Sequence, residues 1–142
     1  MQKNTEMTLE LFREKAKNIS ILYVEDEELL RNNTATLLRK LFQNVEVAVD
    51  GQEGLDKYLH NKYDIVITDI SMPNMNGLDL ISNIRRNDFN QEIIIMSAYT
   101  ESTYTDQINT ANVTGYIYKP VNMKQMLEVL NLSIDRLNDI KN

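Results

Sequence analysis

Asp64-Ile65-Val66-Ile67-Thr68-Asp69-Ile70-Ser71-Met72-Pro73 is the stretch on which the fold turns. Its run from Asp64 to Thr68 reads as a strand, and its unbroken apolar character suits a parallel sheet covered on both faces. Asp69 is then the first charge at the mouth of that strand. Two other runs end in matching chemistry. Ile21-Leu22-Tyr23-Val24 leads into Glu25-Asp26, and Gly115-Tyr116-Ile117-Tyr118 leads into Lys119-Pro120. If these strands are parallel, a carboxylate, an acidic pair and a lysine meet in one crevice at their C-terminal ends, where open α/β sheets place their sites.

Strand and helix patterns alternate on either side of this stretch. Ser20 to Val24 is a buried strand, and Glu27 to Phe42 a helix with Leu30, Leu37, Leu38 and Leu41 inside. Val45 to Val49 is a second strand, marked as an edge by Glu46. Gly51 to Asn61 is a short helix carrying Leu55, Tyr58 and Leu59. Leu78 to Arg86 is a helix with Leu80, Ile81 and Ile84 inside, and Glu92 to Ser97 is another apolar strand. Gly115 to Tyr118 is the fifth strand. Asn122 to Ile140 is the longest helix, about 28 Å, with Met123, Leu127, Leu130, Ile134 and Leu137 in one stripe and Met126, Val129 and Leu132 off it. The pattern predicts right-handed parallel crossovers with helices on both faces. The threonine-rich segment Thr100 to Val113 should be a marginal, mobile helix, since threonine is a mediocre helix former.

Composition narrows the classes. The 142 residues carry a formal net charge of −6, with 42% hydrophobic and 25% charged residues. That suits one ordinary globular domain and argues against nonspecific binding to nucleic acid or acidic membranes. With no cysteine, disulfides, thiolate metal sites and Cys nucleophiles are excluded. No apolar run approaches the roughly 20 residues of a membrane span, and Met1 to Lys17 lacks the apolar core of a secretory signal, so the cytoplasm is expected. Within Met1 to Lys17, the segment Thr8 to Lys17 reads as a short helix outside the main core, capped by Thr8, with Leu9, Phe12 and Ala16 on one face. Those residues could dock on a partner or a second copy.

Glu25, Asp26 and Asp69 offer hard oxygen ligands with no Cys or His nearby, since His60 lies on another helix. Such a set suits Mg²⁺ or Mn²⁺. Beside a cation, Asp69 would stay ionised and able to attack phosphorus. Glu27 and Glu28 read as an acidic first helical turn favoured by the helix dipole. Pro120 pushes Lys119 towards an extended conformation that can aim its ammonium across the strand ends, and a cis Lys119-Pro120 bond is expected. Ser97 offers a hydroxyl to a phosphate oxygen.

In these features the chain resembles a response-regulator receiver domain of two-component signalling, over about Asn18 to Ile140. The resemblance is carried by Glu25-Asp26, Asp69 with Met72-Pro73 and Gly77-Leu78, Ser97-Ala98, and Gly115-Tyr116 with Lys119-Pro120. It implies a doubly wound, flavodoxin-like α/β fold with five parallel strands in the order 2-1-3-4-5. It divides the chain into an N-terminal extension, 1–17, and a receiver domain, 18–142. It implies phosphorylation at Asp69 and a metal site of Glu25, Asp26, Asp69 and Ser71 for Mg²⁺ (or Mn²⁺), with Asp26 ligating directly, Glu25 through water and Ser71 through its backbone carbonyl. Lys119 would pair with the phosphoryl group, Ser97 would hydrogen-bond to it, and Tyr116 would rotate inward as the switch aromatic.

The implied partners are a sensor histidine kinase or phosphotransfer protein and a downstream protein or output domain. The latter would meet the face formed by the threonine-rich segment, the fifth strand and the last helix, with homodimerisation on activation a further expectation. Catalysis would be limited to the chain's own Mg²⁺-dependent phosphorylation and dephosphorylation. The departures from the common pattern are the Glu-Asp pair in place of Asp-Asp, Ser97 for Thr, and Val121 for Phe; none removes a required group. Ser71 and Tyr99, flanking the approach of water, imply a long-lived phosphorylated state.

Other readings fit less well. An aspartyl phosphatase needs a second carboxylate two residues after the nucleophile, where Ser71 stands. A flavin site needs a phosphate cradle after the first strand, where Glu25-Asp26 would repel the phosphate. A degenerate interaction module has no use for Asp69, Asp26 and Lys119 together. The output stays open: a free-standing receiver and the receiver part of a longer regulator or hybrid kinase both fit.

Overall fold

The computed structural model describes residues 2–98 and 112–141, apart from the side chains of residues 2–8, 140 and 141. Five strands, β1 (Ser20–Val24), β2 (Asn44–Ala48), β3 (Ile65–Asp69), β4 (Glu92–Ala98) and β5 (Gly115–Lys119), form one parallel sheet in the order β2-β1-β3-β4-β5. Around it lie α1 (Gln2–Lys15), α2 (Glu28–Leu41), α3 (Gly51–His60), α4 (Gly77–Asn87) and α5 (Met123–Lys141). This is the doubly wound arrangement that the alternating pattern predicts, with β2 at one edge. Of the expected helix Thr100 to Val113, only Asn112 and Val113 are described, and both lie outside any helix. Tyr99 is also outside the described residues.

The apolar strands feed two cores because successive side chains leave opposite faces. Ile21, Tyr23, Ile65, Ile67, Ile94, Met96 and Ile117 pack against Leu38 and Leu41 of α2 and Met126, Leu130 and Ile134 of α5. Leu22, Val24, Val66, Ile93 and Ile95 pack against Leu80, Ile81 and Ile84 of α4, with Leu55 and Tyr58 of α3 half-buried beside them. Leu59 is 55% exposed and does not join them. On α2 the buried face is Thr34, Ala35, Leu38 and Leu41, while Leu30 and Leu37 sit at its margin. The last helix also buries more than one stripe. Met126 is fully buried and Val129 packs on the core, whereas Leu132 is exposed. A helix lying against both the sheet and a neighbouring helix buries a wider arc than one stripe.

That neighbour is α1, and here the expectation is corrected. The helix begins at Gln2, well before Thr8, and is part of the core. Phe12 and Ala16 are buried in the α2–α5 cluster, with Leu9 packed against it. Phe12 meets Phe42 edge-on at 5.7 Å between ring centres. Lys15 adds polar contacts across to Asn131 and Asp135 of α5. An isolated helix of this length is marginal in water, so packing against α2 and α5 is what holds it. Phe12→Ala should lower unfolding stability by about 3 kcal/mol, the usual cost of emptying a buried aromatic site. Urea titration measures this, and an unchanged midpoint would contradict the docking.

Register places the working ends. Val24 pairs with Thr68, Asp69 with Met96, and Ala98 with Lys119. Glu25 and Asp69, each the next residue along, therefore emerge side by side, and Lys119 closes β5 at the same edge. At the opposite end, Asp64 accepts from the Ser20 amide at 2.9 Å. Gln91 donates there to the Tyr63 and Asp64 carbonyls at 3.0 Å. These bonds fix where the strands start, and so how far each one reaches.

Candidate functional site: an acidic cluster with one lysine

Three carboxylates from two strand ends meet here. One oxygen each from Glu25, Asp26 and Asp69 lies within 4.8 Å of the others. Glu25 and Asp69 are buried, and Asp26 is exposed. Lys119 reaches in from β5, its Nζ 3.1 Å from Asp69 Oδ2 and 3.3 Å from Glu25 Oε1. One ammonium thus faces three carboxylates, a charge imbalance that favours a further cation.

The remaining contacts fix each group. Asp69 Oδ1 accepts from the Ile70 amide at 2.7 Å. Glu25 Oε2 accepts from the Glu27 amide at 3.3 Å. Arg31 of α2 donates to the backbone carbonyls of Glu25 at 3.0 Å and Asp26 at 3.3 Å, pinning the acidic pair. Glu25 Oε1 is buried without a hydrogen bond of proper geometry. The Lys119 ion pair approaches it at 3.3 Å as a charge contact and does not satisfy it as a donor. Burial pushes the Glu25 carboxyl well above the usual carboxylate range, and the Asp69 charge adds to the shift. Burial pulls the Lys119 ammonium down, but Asp69 and Glu25 outweigh it and hold the group above its ordinary value. Lys119 is therefore cationic at neutral pH. The Lys119–Pro120 bond is cis, as the sequence suggested.

The structure thus brings together Glu25, Asp26, Asp69 and Lys119. Ser97 is buried on β4, next to Met96, the register partner of Asp69. Ser71 is exposed in the loop that follows β3. Tyr116 stands apart from the acidic cluster. It packs half-buried against the α3–α4 core, its ring stacked on Tyr118 with 6.4 Å between centres. The donor set is entirely hard oxygen, with one buried acceptor left unsatisfied, and fits Mg²⁺ or Mn²⁺.

Three supporting residues escaped the sequence reading. Tyr23 is fully buried, and its hydroxyl donates to Met96 Sδ at 3.7 Å. Burial keeps its phenol far above its ordinary value; Thr34 opposes the shift, while the Glu25 and Asp69 charges reinforce it. Asp50 caps α3, Oδ1 accepting from the Glu53 amide at 2.8 Å, and Asn74 Nδ2 donates to its other oxygen at 2.8 Å. The Asp50-Gly51 pair before a helical pattern is a legible cap signal. Nothing in the sequence ties Asp50 to Asn74.

Comparisons with known proteins identify the family. The profile of the response regulator receiver domain family matches residues 21–131. Chemotaxis protein CheY-3 of Vibrio cholerae is 35% identical over 124 residues, covering 85% of this chain and 95% of that protein. Chemotaxis protein CheY of Thermotoga maritima is 33% identical over 112 residues, covering 78% of this chain and 93% of the relative. Among solved structures, the N-terminal domain of an uncharacterized protein from Wolinella succinogenes superposes with a TM-score of 0.79. It is 28% identical, with 87% of this chain and 99% of that one covered. The chain belongs to the response-regulator receiver domain family of two-component signalling.

Proposed function

We propose that Asp69 accepts a phosphoryl group from a phosphohistidine on a sensor histidine kinase or phosphotransfer protein, and that the acyl phosphate biases the domain towards a partner-binding state. The observation that carries this reading is the Lys119 ammonium 3.1 Å from Asp69 Oδ2, inside a cluster of three carboxylates at the sheet's C-terminal edge. In the transfer, an Asp69 carboxylate oxygen attacks phosphorus and a new O–P bond forms. The P–N bond to the donor imidazole breaks, and the imidazole keeps that electron pair.

Mg²⁺ (or Mn²⁺) held by Asp26, Asp69, Glu25 through water and the Ser71 carbonyl would offset the charge of the meeting anions. Glu25 Oε1, buried and unsatisfied, is the acceptor that gains most from that cation or its water. Lys119 orients and neutralises the arriving phosphoryl oxygens, and Ser97 supplies a hydroxyl to one of them after transfer. Tyr116 is the switch aromatic, and the surface of β5 and α5 is the output face. The only catalysis in this reading is the chain's own phosphorylation and dephosphorylation, performed in the cytoplasm beside the kinase. Among the described residues, no helix is long and apolar enough to cross a membrane.

The direct test is intact-mass analysis after incubation with acetyl phosphate and Mg²⁺. The chain should gain the mass of one phosphoryl group, lose it in hydroxylamine, and gain nothing when EDTA replaces Mg²⁺. No mass gain with Mg²⁺ present would sink the reading.

Lys119→Ala gives a second test. The lysine side chain is 20% exposed at the sheet mouth, so its removal leaves both cores intact. Without its charge, the approach of a phosphoryl anion to Asp69 is opposed. The phosphorylation rate should fall about 100-fold, as when one charge-stabilising donor is removed from a reaction site. Unaltered far-ultraviolet circular dichroism would accompany the loss, and a labelling rate equal to the parent's would contradict the role.

A further inference from the structure

We infer that Asn74 is a positioning residue for the cation site: by clamping the loop after β3 to Asp50, it fixes the segment that carries Ser71. The inference rests on the reading of the Asp69 cluster as an Mg²⁺ centre.

The loop 70–76 joins β3 to α4. Its internal bonds run from the Met75 amide to the Pro73 carbonyl at 2.8 Å and from the Gly77 amide to the Ile70 carbonyl at 2.7 Å. The first closes a tight turn around Asn74 and the second spans the loop, while Met72 and Met75 pack against the core beneath it; none of these ties the loop to the segment that opens α3 by a hydrogen bond. Asn74 has a φ of 69°, a left-handed conformation that glycine adopts most freely and asparagine tolerates. Asparagine keeps that conformation and adds an amide, and the amide is used: Nδ2 donates to Asp50 Oδ2 at 2.8 Å, 24 positions back in the chain.

Asp50 is well suited as the anchor. Its Oδ1 is already committed to the Glu53 amide as the α3 cap, which fixes the carboxylate and leaves Oδ2 facing the loop. That bond and the Asn74 amide hold its carboxyl below the ordinary aspartate range. The two segments also touch next to the clamp, since a Cβ built on Gly51 would lie 2.0 Å from the Met75 carbonyl oxygen. Met75 adds a weak contact from Asn83 Nδ2 at 4.0 Å, too long to replace the Asn74 bond. The clamp is therefore the directional tie between the ligand loop and α3. A loop free to sample other bends spends less time with its ligand in place, so cation affinity falls.

The experiment is calorimetric titration of Mg²⁺ into the full chain, well below each variant's melting temperature, with melting curves recorded in parallel. Asn74→Gly keeps the left-handed backbone and deletes the amide, so it should bind Mg²⁺ about fivefold more weakly, the effect of one modest hydrogen bond. The exchange variant Asp50→Asn with Asn74→Asp has the parent's net charge and restores a donor–acceptor pair, with the Asn oxygen still able to cap α3. It should bind as the parent does. Parent-like affinity in Asn74→Gly overturns the inference, as does an exchange variant as weak as Asn74→Gly. A role limited to stability would lower the melting temperature of Asn74→Gly and leave the affinity of the folded protein unchanged. Asp26→Asn tests the underlying reading separately: Mg²⁺ binding equal to the parent's in that variant, or no binding by the parent itself, removes the cation site altogether.

Discussion

Asp69→Asn should form no acyl phosphate with acetyl phosphate and Mg²⁺, while folding at least as stably as the parent. An amide oxygen lacks the anionic lone pair that attacks phosphorus, so the loss is complete and not a slowing. The fold should survive because the exchange is isosteric. The Asn oxygen can still accept from the Ile70 amide, the 2.7 Å bond that orients the side chain. Lys119 keeps Glu25 as its partner at 3.3 Å. Without a cation, three carboxylates within 4.8 Å repel one another, and removing one charge relieves that repulsion. The melting temperature in EDTA should therefore equal or exceed the parent's. Asp26→Asn separates the two parts of the site: it should weaken Mg²⁺ binding by at least tenfold, the scale of losing a ligand or its close support. Intact mass reports the first outcome and titration calorimetry the second. Labelling of Asp69→Asn at the parent's rate would show that another residue is the acceptor.

What the sequence made legible follows from where the physics is local. β3 and β4 are apolar on both faces, so their residues announced a covered parallel sheet, and the charges at the ends of β1, β3 and β5 announced the site. Lys119 could be assigned because Pro120 constrains it and because β5 must end beside β4. The N-terminal helix was legible as a helix and misread as a satellite. Leu9, Phe12 and Ala16 define an apolar face, but nothing local says that Phe42 and α5 will cover it. Met126 failed for a related reason: a stripe drawn from one helix cannot anticipate two neighbours. Leu59 failed in the opposite direction, lying on a helix too short to bury its final turn. Tyr23 reads as one more apolar strand residue. Only the assembled sheet shows that its hydroxyl reaches across to Met96, on the strand beyond β3. The Asn74–Asp50 clamp is likewise tertiary, since its halves lie in separate βα units.

Gly77→Ala should be among the most destabilising single-methyl additions in this chain, and it should damage the site as well as the fold. Gly77 opens α4, where alanine would ordinarily be favoured over glycine by about 1 kcal/mol. Packing reverses that preference. A Cβ built on Gly77 would lie 1.9 Å from the Asp69 carbonyl oxygen and 2.9 Å from both the Asp69 carbonyl carbon and the Ile70 Cα. All three atoms are backbone, and side-chain rotation cannot relieve the overlap. The helix start must move away from β3, breaking the Gly77–Ile70 bond of 2.7 Å, or the chain at Asp69 must move. The expected cost is about 3 kcal/mol or more, at the upper end for overpacking because rigid atoms are involved. Gly115→Ala is the control: its nearest neighbour is Val129 Cγ1 at 3.1 Å, the end of a side chain that can give, so its cost should stay near 1 kcal/mol. Urea unfolding of the two variants tests the contrast. Because the displaced backbone carries Asp69, the proposed phosphoacceptor, Gly77→Ala should also phosphorylate more slowly than Gly115→Ala under conditions where both are folded. Equal stability and equal labelling in the two variants would mean that the close approach of Gly77 to Asp69 does not set the geometry of the site.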